Sequence, residues 1–301
     1  MRKIKRGMTM VLTGALALTG LGSGAVMAEE TSAVQGVETE AVELPELYHV
    51  MFIGVDRRDD SWEGNSDTMM LISVNDEKEQ ISMISMMRDM GVEIPGIGVQ
   101  KMNAANANGG AELVLETVQE NFGVDVERYV SVDFEDLIEI VDAVGGVELT
   151  ISDAEAEQVN GGVTYLCGLQ GIDPEPHYLP GGGTYLCDGM QAVNYARIRF
   201  VGNADYERTE RQRTVLTQIF NQVKDLDALS LLGLAQDILK IVDHNIPAGE
   251  LLKLVLKAGD MVNYELVTDR IPYDGLFSSE GEMLMPDWSA TLERLNETLY
   301  G

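Results

Sequence analysis

Asp56 and Asp67 each border an apolar run, residues 48–55 before the first and 68–74 after the second. A third run, 81–87, follows the turn-like stretch 75–79 and leads directly into Arg88 and Asp89. Short links of this kind predict three consecutive antiparallel strands. Both aspartates and the Arg88 guanidinium then converge on one end of the sheet. Paired carboxylates facing a phosphate are a usual way to hold Mg2+, which keeps water and substrate oxygens as its other ligands. Aspartate also caps turns, and the pair by itself leaves both roles open.

A second cluster is cationic. Tyr195-Ala196-Arg197-Ile198-Arg199 predicts an extended segment with two guanidiniums on one face. Residues 205–213 read as a helix start on which Arg208 and either Arg211 or Gln212 share a face. Five arginines thus crowd into 197–213 of a chain with 301 residues and a formal charge of -29. So local an exception suggests a site for a multiply charged anion, and the planar arginine fork suits pyrophosphate. The competing reading is a surface lattice with Glu207 and Glu210, to which Arg213 in particular could belong. Lys101, in the stretch 100–105 ahead of Gly109-Gly110 and a predicted helix, could add a cation, with amides at the helix start assisting.

Other chemistries find little support. The acidic balance argues against nucleic acid, which needs a basic footprint. There is no Gly-rich phosphate loop of the Walker kind and no Gly-x-Ser-x-Gly elbow, and His49, His177 and His244 lack metal-ligand spacing. Cys167 and Cys187 each end a Thr-Tyr-Leu-Cys run; they could close one disulfide or remain two free thiols, and without neighbouring His they do not suggest zinc. The echo of 164–168 in 184–188, among Gly and Pro, reads as a local duplication in a surface loop.

The elements that must position these groups are largely visible. Near-continuous apolar strands are usually buried on both faces, so helices should cover the sheet. Apolar spacing predicts helices over 111–122, 135–144 and 206–224, another opened by Pro247, and a last one from Trp288 to Leu299. Short strands fit 129–132 and 147–151. The fold class is α/β, a three-layer α/β/α sandwich around a mixed, largely antiparallel central sheet. At the N-terminus, residues 1–28 have a basic start, an apolar stretch and small residues around 26–28, the pattern of a signal peptide or membrane anchor. Cleavage there would take the formal charge from -29 to -33. Residues 29–46 read as an acidic flexible linker, and 47–301 as one domain outside the cytoplasm.

Several stretches, in this order, resemble the LytR–CpsA–Psr family of cell-envelope glycopolymer transferases. They are Phe52-Ile53-Gly54-Val55-Asp56-Arg57, Ser66-Asp67-Thr68-Met69, Ile84-Ser85-Met86-Met87-Arg88-Asp89 and Lys101-Met102-Asn103-Ala104-Ala105. Residues 141–147, Asp188-Gly189-Met190-Gln191-Ala192, 195–199 and 205–212 complete the set. The resemblance implies an α/β/α sandwich in which Asp56 and Asp67 hold Mg2+. It implies that Arg88, Arg197, Arg199 and Arg208, with Lys101 and Gln212, grip the pyrophosphate of a polyprenyl-linked polymer whose tail enters an apolar tunnel. Two residues depart from the family pattern: Asn65 stands where Arg is common and Met90 where Thr is common.

The reaction so implied is Mg2+-dependent transfer of an anionic glycopolymer to peptidoglycan at the outer face of a bacterial cytoplasmic membrane. Arg88, Arg197 and Arg199 would stabilise charge, and Asp89 could accept the proton of the attacking hydroxyl. A non-catalytic, regulatory polyprenyl-pyrophosphate-binding protein and a Mg2+-dependent pyrophosphohydrolase are the alternatives.

Overall fold

The computed structural model describes residues 45–56, 63–201, 204–224 and 226–301, with side chains on the helix that begins at 204 described from 207. The expected signal or anchor segment, nearly all of the acidic linker, and Arg57 lie outside the described residues.

Three strands open the domain: β1 (Leu47–Asp56), β2 (Asn65–Asn75) and β3 (Gln80–Met86). They pair antiparallel in succession, as their short links predict. A hairpin of β4 (Gly91–Ile94) and β5 (Gly98–Lys101) then leads into α1 (Ala104–Phe122). Next come β6 (Arg128–Val132), α2 (Phe134–Ala143), β7 (Val147–Ile151), α3 (Asp153–Gln170), β8 (Gly183–Cys187) and α4 (Gly189–Ala196). The chain continues through α5 (Ala204–Val223), α6 (Ala228–Ile238), β9 (Asp243–His244), α7 (Ala248–Met261) and β10 (Glu265–Ile271). It closes with β11 (Phe277–Glu280), β12 (Met283–Pro286) and α8 (Trp288–Leu299).

The central sheet has the order β10-β3-β2-β1-β6-β9. It is mixed: β6 joins β1 and β10 joins β3 in parallel, while the other pairings are antiparallel. Strand alternation sorts its side chains into two layers. Met51, Ile53, Met69, Leu71 and Ile84 face α1 and α8, where Val114, Val118 and Leu295 meet them. Phe52, Met70, Ile72 and Met83 face the other way, against Leu216 and Phe220 of α5 and Leu254 of α7. With α2 and α6 packed beside Val132 on that second face, the molecule is the expected sandwich of helices, sheet and helices. Each fully buried aliphatic side chain of this kind contributes about 1.5–3 kcal/mol.

Some expectations are corrected. Residues 195–199 are not extended: Tyr195 and Ala196 end α4, and Arg197 is its C-cap in right-handed helical geometry. The Gly-rich region around 160–190 is not one surface loop. Thr164–Cys167 lies in α3 and Thr184–Cys187 in β8, so the same four residues are helical once and extended once. Tertiary packing overrides local preference here, because both cysteines point into one core of β7, α3 and α4. Both are free thiols, and burial pushes Cys187 up to about 12. The strand expected over 147–151 is present as β7, and it pairs with β8 in a separate two-stranded sheet.

Candidate functional site

The β1–β2 pairing is irregular at the end where the carboxylates lie. Thr68 is opposite Gly54 and Ser66 is opposite Val55, which leaves Asp67 as an extra residue between them. This is a β-bulge, a device that re-aims a side chain. Strict alternation would turn Asp67 toward the face of Met69 and Leu71. With the bulge it lines the same cavity as Asp56, Gly54 and Thr68 on the opposite face. Gly54 is needed there because a Cβ at that position would sit 2.8 Å from Thr68 Cβ.

The cavity measures about 230 Å³ and has two kinds of wall. Its interior is apolar, formed by Phe52, Val132, Phe134, Leu137, Val193, Val215 and Leu216. Its polar lining is Asp56, Asp67, Asp133, Arg197, Arg199, Arg208 and Gln212. Asp67 is the hub. Arg88 Nη1 donates to its Oδ1 at 2.8 Å, Arg199 Nη2 to its Oδ2 at 2.6 Å, and Arg208 Nη1 stands 3.6 Å from Oδ2. Arg208 is nearly enclosed, its side chain 4% exposed. Arg197 lies with its guanidinium carbon 4.1 Å from the centre of the Phe134 ring, a cation–π contact on the cavity wall. Burial pulls the Arg197 guanidinium below the ordinary arginine range, the Asp56 and Asp67 charges oppose this, and Arg199 adds to it. Arg197, Arg199 and Arg208 in the lining, with Arg88 reaching Asp67 from outside it, outnumber the carboxylates Asp56, Asp67 and Asp133 and leave the mouth cationic in an otherwise acidic chain.

The remaining candidates fall outside this lining. Asp89 is shared between two cations, with Oδ2 3.4 Å from Arg88 Nε and Oδ1 3.0 Å from Lys101 Nζ. Lys101 Nζ also lies 3.0 Å from Glu282 Oε2 on the β11–β12 turn, and the bonds to Asp89 and Glu282 raise its proton affinity against a small opposing effect of burial. The helix expected from 111 is preceded by helical residues from 104, with a break in geometry at Gly109 and Gly110.

Arg211 shares no face of the cavity with Arg208. Its buried guanidinium donates to Glu155 at 2.8 Å, to Glu207 at 2.9 Å, and to the carbonyls of Ile198 and Val201 at 3.3 and 3.2 Å. It staples the segment carrying Arg199 to α3 and α5. Asp133 and Phe134 escaped notice in the sequence, although Asp133 and Asp136 form a capping box that marks the start of α2 beside the cavity.

Fold and site together define a mixed-sheet α/β sandwich with an amphipathic pocket, apolar within and arginine-rimmed at the mouth. Residues 19–298 match the LytR_cpsA_psr family, and the chain belongs to that family. It is 36% identical over 205 residues to the polyisoprenyl-teichoic acid–peptidoglycan teichoic acid transferase TagU of Enterococcus faecalis, covering 67% of this chain and 61% of that protein. It is 32% identical over 195 residues to biofilm regulatory protein A of Streptococcus mutans, covering 61% of this chain and 46% of that protein. The matched part is thus about half to three-fifths of the length of these relatives. Among solved structures, Bacillus subtilis TagT superposes with a TM-score of 0.64 at 23% identity, over 84% of this chain and 91% of that one. A TagT with bound octaprenyl pyrophosphate lipid gives 0.61 at 22%, over 85% and 93%. These likenesses carry the fold.

Proposed function

We propose that this domain transfers an anionic glycopolymer from a polyprenyl-pyrophosphate carrier to peptidoglycan, at the outer face of a bacterial cytoplasmic membrane to which residues 1–28 deliver it. The observation that carries this reading is the union in one cavity of apolar walls with Arg197, Arg199 and Arg208, beside which Arg88 reaches Asp67. A polyprenyl pyrophosphate has the same division, a hydrocarbon tail joined to a compact polyanion. The relatives named as teichoic acid transferases, and the TagT that binds octaprenyl pyrophosphate, support it.

The chemistry asked of these residues is phosphoryl transfer. An acceptor hydroxyl oxygen attacks the sugar-proximal phosphorus as the bond from that phosphorus to the bridging oxygen breaks. The polymer is left on peptidoglycan through a phosphodiester, and polyprenyl phosphate departs with the bridging oxygen. Arg88, Arg197, Arg199 and Arg208, with Gln212, hold the phosphoryl oxygens and offset the charge that builds on the leaving group. Asp89 orients Arg88 and Lys101 from behind the mouth. To take the hydroxyl proton it would have to loosen one of those ion pairs.

Asp56 and Asp67 suit Mg2+, which accepts one or two carboxylates and takes its remaining ligands from water and phosphate. Among the described residues no group of three or more His, Cys, Asp or Glu is arranged for a metal held mainly by protein. Bound there, Mg2+ would supply Lewis-acid stabilisation of phosphoryl charge.

The deciding experiment is organic extraction and mass spectrometry of lipid that co-purifies with the chain, beside the variant Arg197→Ala/Arg199→Ala. Polyprenyl phosphate or pyrophosphate present in the parent and lost in the variant is the expected result. No lipid in either, with added carrier also failing to bind, overturns the reading. A transfer assay with and without peptidoglycan separates the alternatives. Acceptor-independent release of phosphate products marks a hydrolase, and tight binding with no product marks a binding protein.

A further inference from the structure

Arg213 follows Gln212 on α5 but does not line the cavity. Its Nη1 donates to Ser85 Oγ of β3 at 3.2 Å, and Ser85 is in register with Arg270 of β10. Both strand residues face α5, so the two guanidiniums share one corner of the sheet. Arg270 is ion-paired with Asp274, whose side chain is 85% exposed. Glu210 and Asp269 are close enough to act on Arg213 through their charge. Neither forms an ion pair with it, and Asp269 is bonded instead to Arg294 at 2.6 Å. Among the described residues, the bonded partner of Arg213 is a neutral hydroxyl.

A largely buried cation without a bonded counter-ion is costly unless an anion completes it. Burial already pulls the Arg213 guanidinium below the ordinary arginine range; the Arg270 charge adds to this, while Glu210 and Asp269 oppose it. Position shows where such an anion would come from. Along the order β10-β3-β2-β1, the cavity occupies the β1 and β2 side, Asp67 and Arg88 mark the middle, and Arg213 with Arg270 marks the β3–β10 side. For a pyrophosphate held by the arginines around Asp67, Arg213 and Arg270 place further cations on the β3–β10 flank.

We infer that Arg213 and Arg270 form a second anion subsite, which takes an anionic group of the polymer beyond the pyrophosphate. The inference rests on the carrier reading above and narrows it: the preferred cargo bears phosphodiester or carboxylate groups near its attachment point, and a neutral glycan gains nothing from the subsite. The guanidinium fork serves either anion.

The test measures binding of the full chain, in detergent, to four carriers. One is bare polyprenyl pyrophosphate, and the second bears a neutral disaccharide. The third and fourth extend that disaccharide with glycerol-phosphate or uronic acid repeats. Arg213→Gln and Arg270→Gln should each lose about tenfold or more in affinity for at least one of the extended carriers, the scale of a charge-assisted hydrogen bond. The bare and disaccharide carriers should stay within about twofold, as expected of a separate subsite. Arg213→Lys should retain part of the affinity, which guards against a folding artefact. Whichever extended carrier is affected identifies the anion. Equal loss for all four carriers, or no loss for any, overturns the subsite while leaving the carrier reading intact. A parent that binds no carrier overturns both.

Discussion

Gly54 and Thr68 approach so closely across the first strand pair that a Cβ on residue 54 would lie 2.8 Å from Thr68 Cβ and 3.1 Å from its Oγ1. The pairing steps out of register at this contact, and Asp67 is the residue left over. Gly54→Ala must push the strands apart there. It should cost about 1–3 kcal/mol in a denaturant titration, the usual range for overpacking. Carrier binding should weaken as well, because Asp67 loses its aim. Gly161→Ala, with nothing within 4 Å of the added carbon, is the control and should not destabilise. Unchanged binding in Gly54→Ala would mean that the close approach does not set the site.

Asp67 holds Arg88 and Arg199 with its two oxygens. It therefore competes with an incoming pyrophosphate for the same donors. In the presence of a chelator, Asp67→Asn should bind polyprenyl pyrophosphate at least as tightly as the parent. Added Mg2+ should tighten binding in the parent and leave the variant unmoved. An identical Mg2+ response in both, followed by titration calorimetry, would remove Asp67 from the metal's ligands.

Asp89 braces two cations from outside the cavity lining. Asp89→Asn should raise KM for the carrier while kcat stays within about tenfold, the smallest effects being those of a group that acts through others. A fall in kcat of about a hundredfold or more at unchanged KM would instead make it the proton acceptor.

Far from the mouth, His49 is buried at 8% exposure and shares a 2.7 Å hydrogen bond with Ser73 Oγ. Burial pushes its pKa down to about 4 from 6.5, with the Asp125 charge opposing. The unfolded chain therefore binds the extra proton between those values. The sign follows: this contribution to stability is whole above pH 6.5 and is lost as pH falls toward 4, by up to about 3 kcal/mol. Chemical denaturation across that window should show the slope, and His49→Gln should flatten it. A slope unchanged by the substitution would place the acid sensitivity elsewhere.

The three leading strands and the carboxylate–arginine end of the sheet were legible because their apolar runs are long and their links short. That hairpin logic brings Asp56, Asp67 and Arg88 to one end of the sheet, though it does not put the two carboxylates on one face. Arg197 and Arg199 were found for their type, but their backbone was misread. All of α4 is buried, so it lacks the polar stripe that distinguishes a surface helix from a strand. Thr-Tyr-Leu-Cys shows the same limit more sharply, since no local rule can assign one tetrapeptide to both α3 and β8. The edge strand β10 mixes Glu265, Thr268, Asp269 and Arg270 among its apolar residues and gave no clear period. The bulge left no mark on composition at all, because it is a property of how two strands meet.

That bulge constrains how this gene can change length. Substitutions can sample the mouth one side chain at a time. Removal of one codon from the short stretch around Ser66 to Thr68 is different in kind. Plain pairing would be restored, the strands would still fold, and the carboxylate would be turned into the core or lost. The chain would keep its architecture and drop its chemistry in a single deletion.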